Sequence, residues 1–229
     1  MKIGLITSSC LRHGQFIRDI TEAFPVSAIV IEEKTYGSSA LEEKEKKYFG
    51  ELQSLDLFCD TIRCKKGEVN SDKIVKFMAR NSLDVVLTFG CSILKGEILK
   101  TSKRFINIHT GLTQFYRGVD SSIWAIKDKS LDRIGVTIHE VNAGIDTGEI
   151  LVQGKIDFSL SDDLNDVFLK TCTRGFKILV DNLSKITSGE IKGTARGAGK
   201  LYQNKDMTPD ILKSAALELP KLLQKHLSK

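Results

Sequence analysis

The sequence predicts an α/β protein built on a doubly wound, mostly parallel, Rossmann-like sheet. Short apolar runs alternate with segments of helical periodicity over the first half of the chain. The runs at 2–7 and 83–90 are nearly all apolar, which indicates strands that are buried on both faces. Strands of this kind, separated by amphipathic helices, are typical of a parallel sheet with helices on both sides.

Four strands are predicted before residue 110, at 2–7, 26–32, 83–90 and 104–109. The segments between them read as helices. One covers 13–24, where apolar residues recur at helical spacing, and another begins with Ser71 as a cap and runs through Asn81. Segment 38–53 is predicted to be a charged helix held by three anchors, Tyr48, Phe49 and Leu52.

The pattern changes after Trp124, which is itself predicted to be a core residue. Two more strands are predicted at 133–141 and 148–158, and a long amphipathic helix follows Ser161. Beyond that helix the periodicity weakens.

The chain is therefore predicted to divide into a main domain, 1–186, and a linker with a short C-terminal helical extension, 187–229. Thr208 and Pro209 suit the cap and first position of the last helix, and Pro220 is predicted to kink or split it.

Composition limits the classes of function. The net charge of +5 is mild and the chain has no basic block, so no nucleic-acid partner is predicted. No apolar run approaches the roughly 20 residues that cross a bilayer, so no membrane insertion is predicted. The five cysteines are scattered and form no Cys-x-x-Cys pair, which indicates a reduced, cytoplasmic protein without a metal site.

Three polar residues fall where a doubly wound sheet places its ligands, at the C-terminal ends of strands. Asn107 and His109 end one predicted strand, and Asp146 lies in the loop between the next two. Such a set suits acyl transfer to an amine, because an amide N–H can hold a developing oxyanion, an imidazole can take a proton and a carboxylate can orient that imidazole. Spacing alone leaves a second interpretation open, in which the Asn forms a turn and the His is a surface or core residue.

Two other histidines are assigned structural positions. In the strand 133–141, His139 lies on the face opposite to Val136 and Ile138, and it is predicted to be a packed or solvated residue rather than a catalyst. His226, in the last turns of the chain, is predicted to lie on the surface.

Two linked stretches resemble the catalytic core of the folate-dependent formyltransferases. They are NIHTGLTQFYRG at 107–118, followed by WAI, and GVTIHEVNAGIDTGEIL at 135–151. That family carries an Asn-x-His, a loop ending in Tyr-Arg-Gly, and a turn with an essential Asp. The resemblance covers roughly residues 1–185. It implies that Asn107, His109 and Asp146 are catalytic, that 1–186 is the catalytic domain and that 10-formyltetrahydrofolate is the one-carbon donor.

The resemblance also implies where the folate lies. The stretch LTFGCSILKGEIL at 87–99 is similar to the family's folate-side segment. We therefore predict a folate slot between two backbone segments, where Gly90 and Gly144 let main chain approach a flat ring closely. Its predicted residues are Leu87, Phe89, Gly90, Ala143, Gly144 and Ile145. The loop after His109 lacks the family's prolines, which leaves the amine specificity open.

The acceptor is assigned by comparing members of the family. About 40 residues follow the long helix, too few for the β-barrel of methionyl-tRNA formyltransferase. The loop after the first strand lacks the glycines of glycinamide ribonucleotide formyltransferase, and the formyltetrahydrofolate hydrolase needs an N-terminal regulatory domain. The chain is most similar to the short sugar N-formyltransferases, which formylate nucleotide-linked amino sugars for surface polysaccharides. Another small-amine formyltransferase, glycinamide ribonucleotide included, or an inactive folate or nucleotide-sugar binding module stays open.

Five residues are predicted to contact the nucleotide sugar: Arg12, His13, Tyr116, Arg117 and Gly118. Arg12 and His13 would meet a diphosphate near a helix N-terminus, or else are solvated residues at a helix start. The apolar face of the last helix either folds back on its own core or docks a second subunit, which would make a homodimer.

Overall fold

The computed structural model describes residues 1–35, 38–50, 59–195, 197 and 199–228. A seven-stranded sheet in the order β3-β2-β1-β4-β5-β7-β8 forms its centre. These strands are β1 (Ile3–Ser8), β2 (Val26–Glu32), β3 (Asp60–Cys64), β4 (Val85–Phe89), β5 (Phe105–His109), β7 (Val136–Glu140) and β8 (Ile150–Gly154). The short strands β6 (Tyr116–Gly118) and β9 (Lys200–Tyr202) pair with each other in a second sheet.

The main sheet is parallel from β3 to β5 and antiparallel beyond it. β1 pairs in parallel with β2 and β4, and β4 with β5, whereas β7 runs antiparallel to both β5 and β8. The predicted doubly wound, mostly parallel fold is confirmed. β3 was not predicted, because this edge strand has an exposed, mixed-polarity sequence rather than an apolar run.

In the part of the chain that the structure describes, six α-helices surround the sheets: α1 (Leu11–Ala23), α2 (Ser39–Phe49), α3 (Asp72–Arg80), α4 (Ser121–Lys127), α5 (Leu164–Thr187) and α6 (Pro209–Leu227). One face of the main sheet packs on α1 and α5 through a cluster that contains Phe16, Leu87 and Phe176, and the other packs on α3 through Ile6 and Met78. The core therefore lies on both faces of the parallel strands, as their apolar sequences require.

The charged helix α2 is anchored differently from the prediction. Tyr48 is 40% exposed and Phe49 is half-buried, while Leu52 lies outside the described residues. The buried residue of α2 is Glu45, which forms an ion pair with Arg12 of α1 and also accepts a hydrogen bond from the Arg12 backbone N–H at 3.0 Å. A buried ion pair, rather than an apolar face, holds this helix.

The C-terminal helix α6 packs on its own chain. Thr208 caps it by accepting from the Ile211 N–H, as predicted, and the helix continues through Pro220 without splitting. Its buried residues lie in a third core cluster together with Trp124 of α4; they are Ala215, Leu219 and Leu223. The apolar face thus covers core within the chain, and a homodimer stays a prediction. Among the described helices, none combines the length and apolarity needed to cross a bilayer.

Candidate active site

A cavity of about 1320 Å³ opens at the C-terminal ends of β4 and β5 and extends to α6. Asn107, His109 and Asp146 all line it. The structure therefore brings together the three residues that the sequence separated by up to 39 positions, at the edge where open α/β sheets bind ligands.

The amide of Asn107 has two protein partners. Thr88 of β4 donates its hydroxyl to Asn107 Oδ1 at 2.8 Å, and Asn107 Nδ2 lies 3.1 Å from His139 Nε2. Because the oxygen is engaged with Thr88, the NH₂ group is oriented as a donor. The amide can hold a developing negative charge in the cavity.

His109 is buried and has a partner at each ring nitrogen. Nδ1 lies 3.3 Å from Asp146 Oδ2, and Nε2 lies 3.1 Å from both the Ser121 hydroxyl and the Tyr116 carbonyl oxygen. A neutral ring with its proton on Nδ1 can donate to Asp146 and accept from Ser121. A protonated ring can donate to Asp146 and to the Tyr116 carbonyl. Both protonation states are thus satisfied.

Asp146 is the charged centre of the cluster. Its Oδ2 accepts the Gly118 backbone N–H at 2.8 Å, and its Oδ1 lies 3.4 Å from His139 Nε2. Burial opposes ionisation of the carboxyl, but the charges of His109 and His139 and their hydrogen bonds, with the Gly118 N–H, hold its pKa below the ordinary value of 3.8. Asp146 is therefore an anion at neutral pH.

His139 is a buried strand residue, in agreement with the packed position predicted for it, and it also contacts Asn107 and Asp146. β5 and β7 pair so that His139 faces Asn107 directly. Its Nδ1 donates to the Glu140 carbonyl at 2.7 Å. Its Nε2 therefore accepts from Asn107 Nδ2 when the ring is neutral and donates to Asp146 Oδ1 when the ring is protonated. This contact could not be predicted from the sequence, because strand register depends on tertiary pairing.

The predicted folate residues divide into two groups. Phe89, Gly90 and Ile145 line the cavity. Gly90 has φ +63°, and a Cβ there would lie 2.5 Å from His13 Nε2, so this close approach requires glycine. By contrast, Leu87 is fully buried in the core, and Ala143 and Gly144 belong to an exposed turn.

The residues predicted to contact the nucleotide sugar also divide into those that line the cavity and those that do not. Arg12, His13 and Gly118 line the cavity. Arg12 and His13 are buried, which rules out the interpretation as solvated residues at a helix start. His13 packs on Phe89 with ring centroids 5.1 Å apart, and neither ring nitrogen has a hydrogen-bond partner in the described part of the chain. Burial, with the nearby charges of Arg12 and Lys34, holds its pKa well below 6.5, so the ring is neutral.

Tyr116 and Arg117 have structural partners instead. The Tyr116 side chain is buried in the third core cluster, where its hydroxyl donates to Asp128 at 2.9 Å. Arg117 Nε donates to the Gly199 carbonyl at 2.6 Å, close to β9. The side chains of Tyr116 and Arg117 thus connect the loop before α4 to Asp128 and Gly199.

Within the described ranges, no three His, Cys, Asp or Glu side chains are grouped so as to hold a metal ion.

Two curated relatives of this chain are formyltransferases. A GDP-perosamine N-formyltransferase of Brucella melitensis is 28% identical over 143 residues, which cover 62% of this chain and 55% of that protein. A methionyl-tRNA formyltransferase of Kosmotoga olearia is 35% identical over 88 residues, which cover 38% of this chain and 28% of that protein. The chain spans about half the length, or less, of these relatives.

Solved structures share the fold. A sugar N-formyltransferase from Shewanella superimposes with a TM-score of 0.66 at 21% identity, covering 95% of this chain and 87% of that one. A formyltransferase from Anoxybacillus kamchatkensis, solved with UDP-4,6-dideoxy-4-formamido-L-AltNAc and tetrahydrofolate, gives 0.61 at 20% identity, with coverage of 90% and 87%. Phosphoribosylglycinamide formyltransferase from Anaplasma phagocytophilum gives 0.65 at 17% identity, with coverage of 89% and 98%.

The family assignment rests on the sequence match. The sequence model of the family described as Formyl transferase matches residues 22–183, which is more than half of the 229 residues. This chain belongs to the formyl transferase family.

Proposed function

We propose that this protein transfers the formyl group of 10-formyltetrahydrofolate to the primary amine of a nucleotide-linked amino sugar in the cytoplasm. One observation carries the proposal: Asn107, His109 and Asp146 converge on a single cavity, with His109 Nδ1 3.3 Å from Asp146 Oδ2. The cavity, about 1320 Å³, exceeds the roughly 300–1,000 Å³ that one small ligand occupies, so it suits a donor and an acceptor together.

The donor's flat ring fits the wall that contains Phe89, Gly90 and Ile145. This wall presents apolar side chains and a stretch of backbone without a Cβ at Gly90. The bound donor supplies the formyl carbon. A formyltransferase from Anoxybacillus kamchatkensis that has the same fold was solved in complex with tetrahydrofolate and a UDP-linked sugar, which supports a folate donor.

The chemistry is direct attack of the amine, so no nucleophilic Ser or Cys is required. Asn107 donates from Nδ2 to the oxyanion that forms as the amine adds to the formyl carbon. The Asp146–His109 pair receives the proton lost by the attacking nitrogen and returns it to the leaving nitrogen of the folate. When His109 holds this proton, both of its ring nitrogens have hydrogen-bond partners in the protein. The protonated ring then stabilises the negatively charged adduct.

An amino sugar is favoured as the acceptor by the perosamine-specific relative and by the sugar N-formyltransferases of the same fold. Glycinamide ribonucleotide is the alternative, since its formyltransferase has nearly the same TM-score. An inactive binding module is disfavoured because Asn107, His109 and Asp146 are all present and in place.

The test is tetrahydrofolate release from 10-formyltetrahydrofolate in the presence of GDP-, UDP- and dTDP-linked amino sugars, with glycinamide ribonucleotide as a further acceptor. Asn107→Ala, His109→Ala and Asp146→Ala should each lower turnover by about a hundredfold or more, and their losses should not add because the three act as one unit.

His226→Ala provides the matched control, because His226 is exposed on α6. Thermal melts should show that all four variants fold. Near-normal turnover by folded His109→Ala would contradict the assignment of the site, and release with glycinamide ribonucleotide alone would replace the proposed acceptor.

A further inference from the structure

We infer that Asp120 is a further catalytic residue, whose carboxylate binds the acceptor's amine as an ammonium ion and takes its first proton. The inference rests on the proposed function and deepens it, since it assigns a cationic primary amine to a particular side of the cavity.

The position of Asp120 is fixed by two neighbours that touch the catalytic cluster. Two residues earlier, the Gly118 N–H donates to Asp146, and one residue later the Ser121 hydroxyl lies 3.1 Å from His109 Nε2. Asp120 itself lines the same cavity as Asn107 and His109. The Asp120 side chain is therefore presented to the cavity from a loop whose neighbouring residues contact Asp146 and His109.

The backbone of Asp120 begins α4 in the left-handed region, with a φ of 56° and a ψ of 36°, a conformation that Asp tolerates better than most residues. Its carbonyl oxygen accepts from the Ile123 and Trp124 N–H groups and so starts the helix. Asp120 occupies the N-cap position of α4, yet its side chain makes no capping hydrogen bond. The carboxylate is therefore available to the cavity that Asp120 lines.

Asp120 also differs from Asp146 in what surrounds its carboxylate. Asp146 contacts two histidines and a backbone N–H, whereas the Asp120 carboxylate has no hydrogen bond or ion pair to the residues that the structure describes. Asp120 is exposed at the surface of the cavity, and desolvation by the neighbouring wall raises the pKa of its carboxyl above 3.8, which the charge of Lys34 partly opposes. Two carboxylates whose pKa values are moved apart suit an acid–base division of labour.

A separate proton acceptor is needed because an ammonium ion loses two protons on becoming an amide, and the His109–Asp146 pair carries only one of them to the folate. The ammonium gives one proton to Asp120, which becomes a carboxylic acid, and leaves a neutral amine. The amine forms the new C–N bond as the carbonyl electron pair moves to oxygen. The second proton passes through the His109–Asp146 pair to the folate nitrogen as its bond to carbon breaks, and Asp120 then releases its proton to water.

The test compares Asp120→Asn with the wild-type protein. Asn keeps the shape and tolerates the left-handed backbone, so only the charge is lost. Turnover with the best acceptor of the panel should fall by about a hundredfold, with folate binding unchanged. Asp132→Asn, which removes an exposed carboxylate a few residues beyond α4, should stay within about twofold of wild type.

Calorimetry supplies a readout that does not need turnover. The wild-type protein should bind the nucleotide amino sugar at least about tenfold more tightly than the matching sugar with a hydroxyl in place of the amine, and Asp120→Asn should lose that preference. Equal turnover and equal preference in the two proteins would overturn the role of Asp120. A wild-type protein that formylates no amino sugar would overturn the proposed function instead, while a retained preference for the amine would still support the ammonium site.

Discussion

Thr88 Oγ1 lies 2.8 Å from Asn107 Oδ1, and this hydrogen bond joins the ends of two neighbouring parallel strands. The hydroxyl also lies 3.3 Å from the Ile106 carbonyl oxygen. Since the Asn107 oxygen is thereby engaged, the Asn107 amide keeps its NH₂ group toward His139 and the cavity. Thr88 is a positioning residue that the sequence alone did not reveal.

Thr88→Val should lower turnover by about tenfold, because the isosteric side chain removes the hydroxyl and lets the Asn107 amide rotate. The loss should appear in kcat rather than in KM, since the oxyanion forms only during the reaction. Thr88→Ser restores the hydroxyl and should recover most of the rate. Equal rates for the Val and Ser variants would show that the hydroxyl does not orient the amide.

His139→Ala should now lower turnover by roughly ten- to a hundredfold, in contrast to the near-wild-type rate that its sequence position suggested. The reason is its contact with both Asn107 Nδ2 and Asp146 Oδ1. Stopped-flow or steady-state assays measure the loss of turnover, and thermal melts show whether the variant is still folded. A folded variant within twofold of wild type would return His139 to a packing role.

The stability of the protein should depend on Asp146 in acid. Its folded pKa lies below the unfolded value of about 3.9, so the stabilisation is fully present above that pH and is lost as pH falls toward the folded pKa. In this window the wild-type free energy of unfolding should decline by up to about 1.4 kcal/mol per pH unit more steeply than that of Asp146→Asn. Urea titrations between pH 2 and pH 5 measure both slopes, and parallel curves throughout that range would contradict the low pKa.

The C-terminal helix should stabilise the fold through its buried face. Leu219 is 1% exposed and Leu217 is 64% exposed on the same helix. Leu219→Ala should cost about 2–5 kcal/mol of unfolding free energy, and Leu217→Ala less than about 0.5 kcal/mol.

A chain that ends at Met207 tests the same helix. It should aggregate, because the α4 surface around Trp124 loses its cover. Sedimentation decides the remaining question, since a soluble truncated monomer from a dimeric parent would identify α6 as a subunit interface.

The parts of the fold that follow local rules were predictable. Strands β1 and β4 appear as apolar runs, and Asn107, His109 and Asp146 sit in recognisable motifs at strand ends. The Glu45–Arg12 pair was not predictable, because a glutamate in a charged helix gives no sign that it will be buried. β9 was missed for a related reason: a three-residue strand has too few positions to show a period.

The antiparallel pairing of β5 with β7 sets Asn107 opposite His139 and His109 opposite Thr137. Because side chains alternate from face to face, inserting one residue between Val136 and Ile138 would place His139 on the far side of the sheet and an apolar neighbour against Asn107. The register of this strand pair thus determines which side chains face each other in the site. Substitutions alter single groups of the site, whereas a change of one in strand length replaces the whole set. Length variation in homologues should therefore fall outside β5, β7 and the turn that carries Asp146.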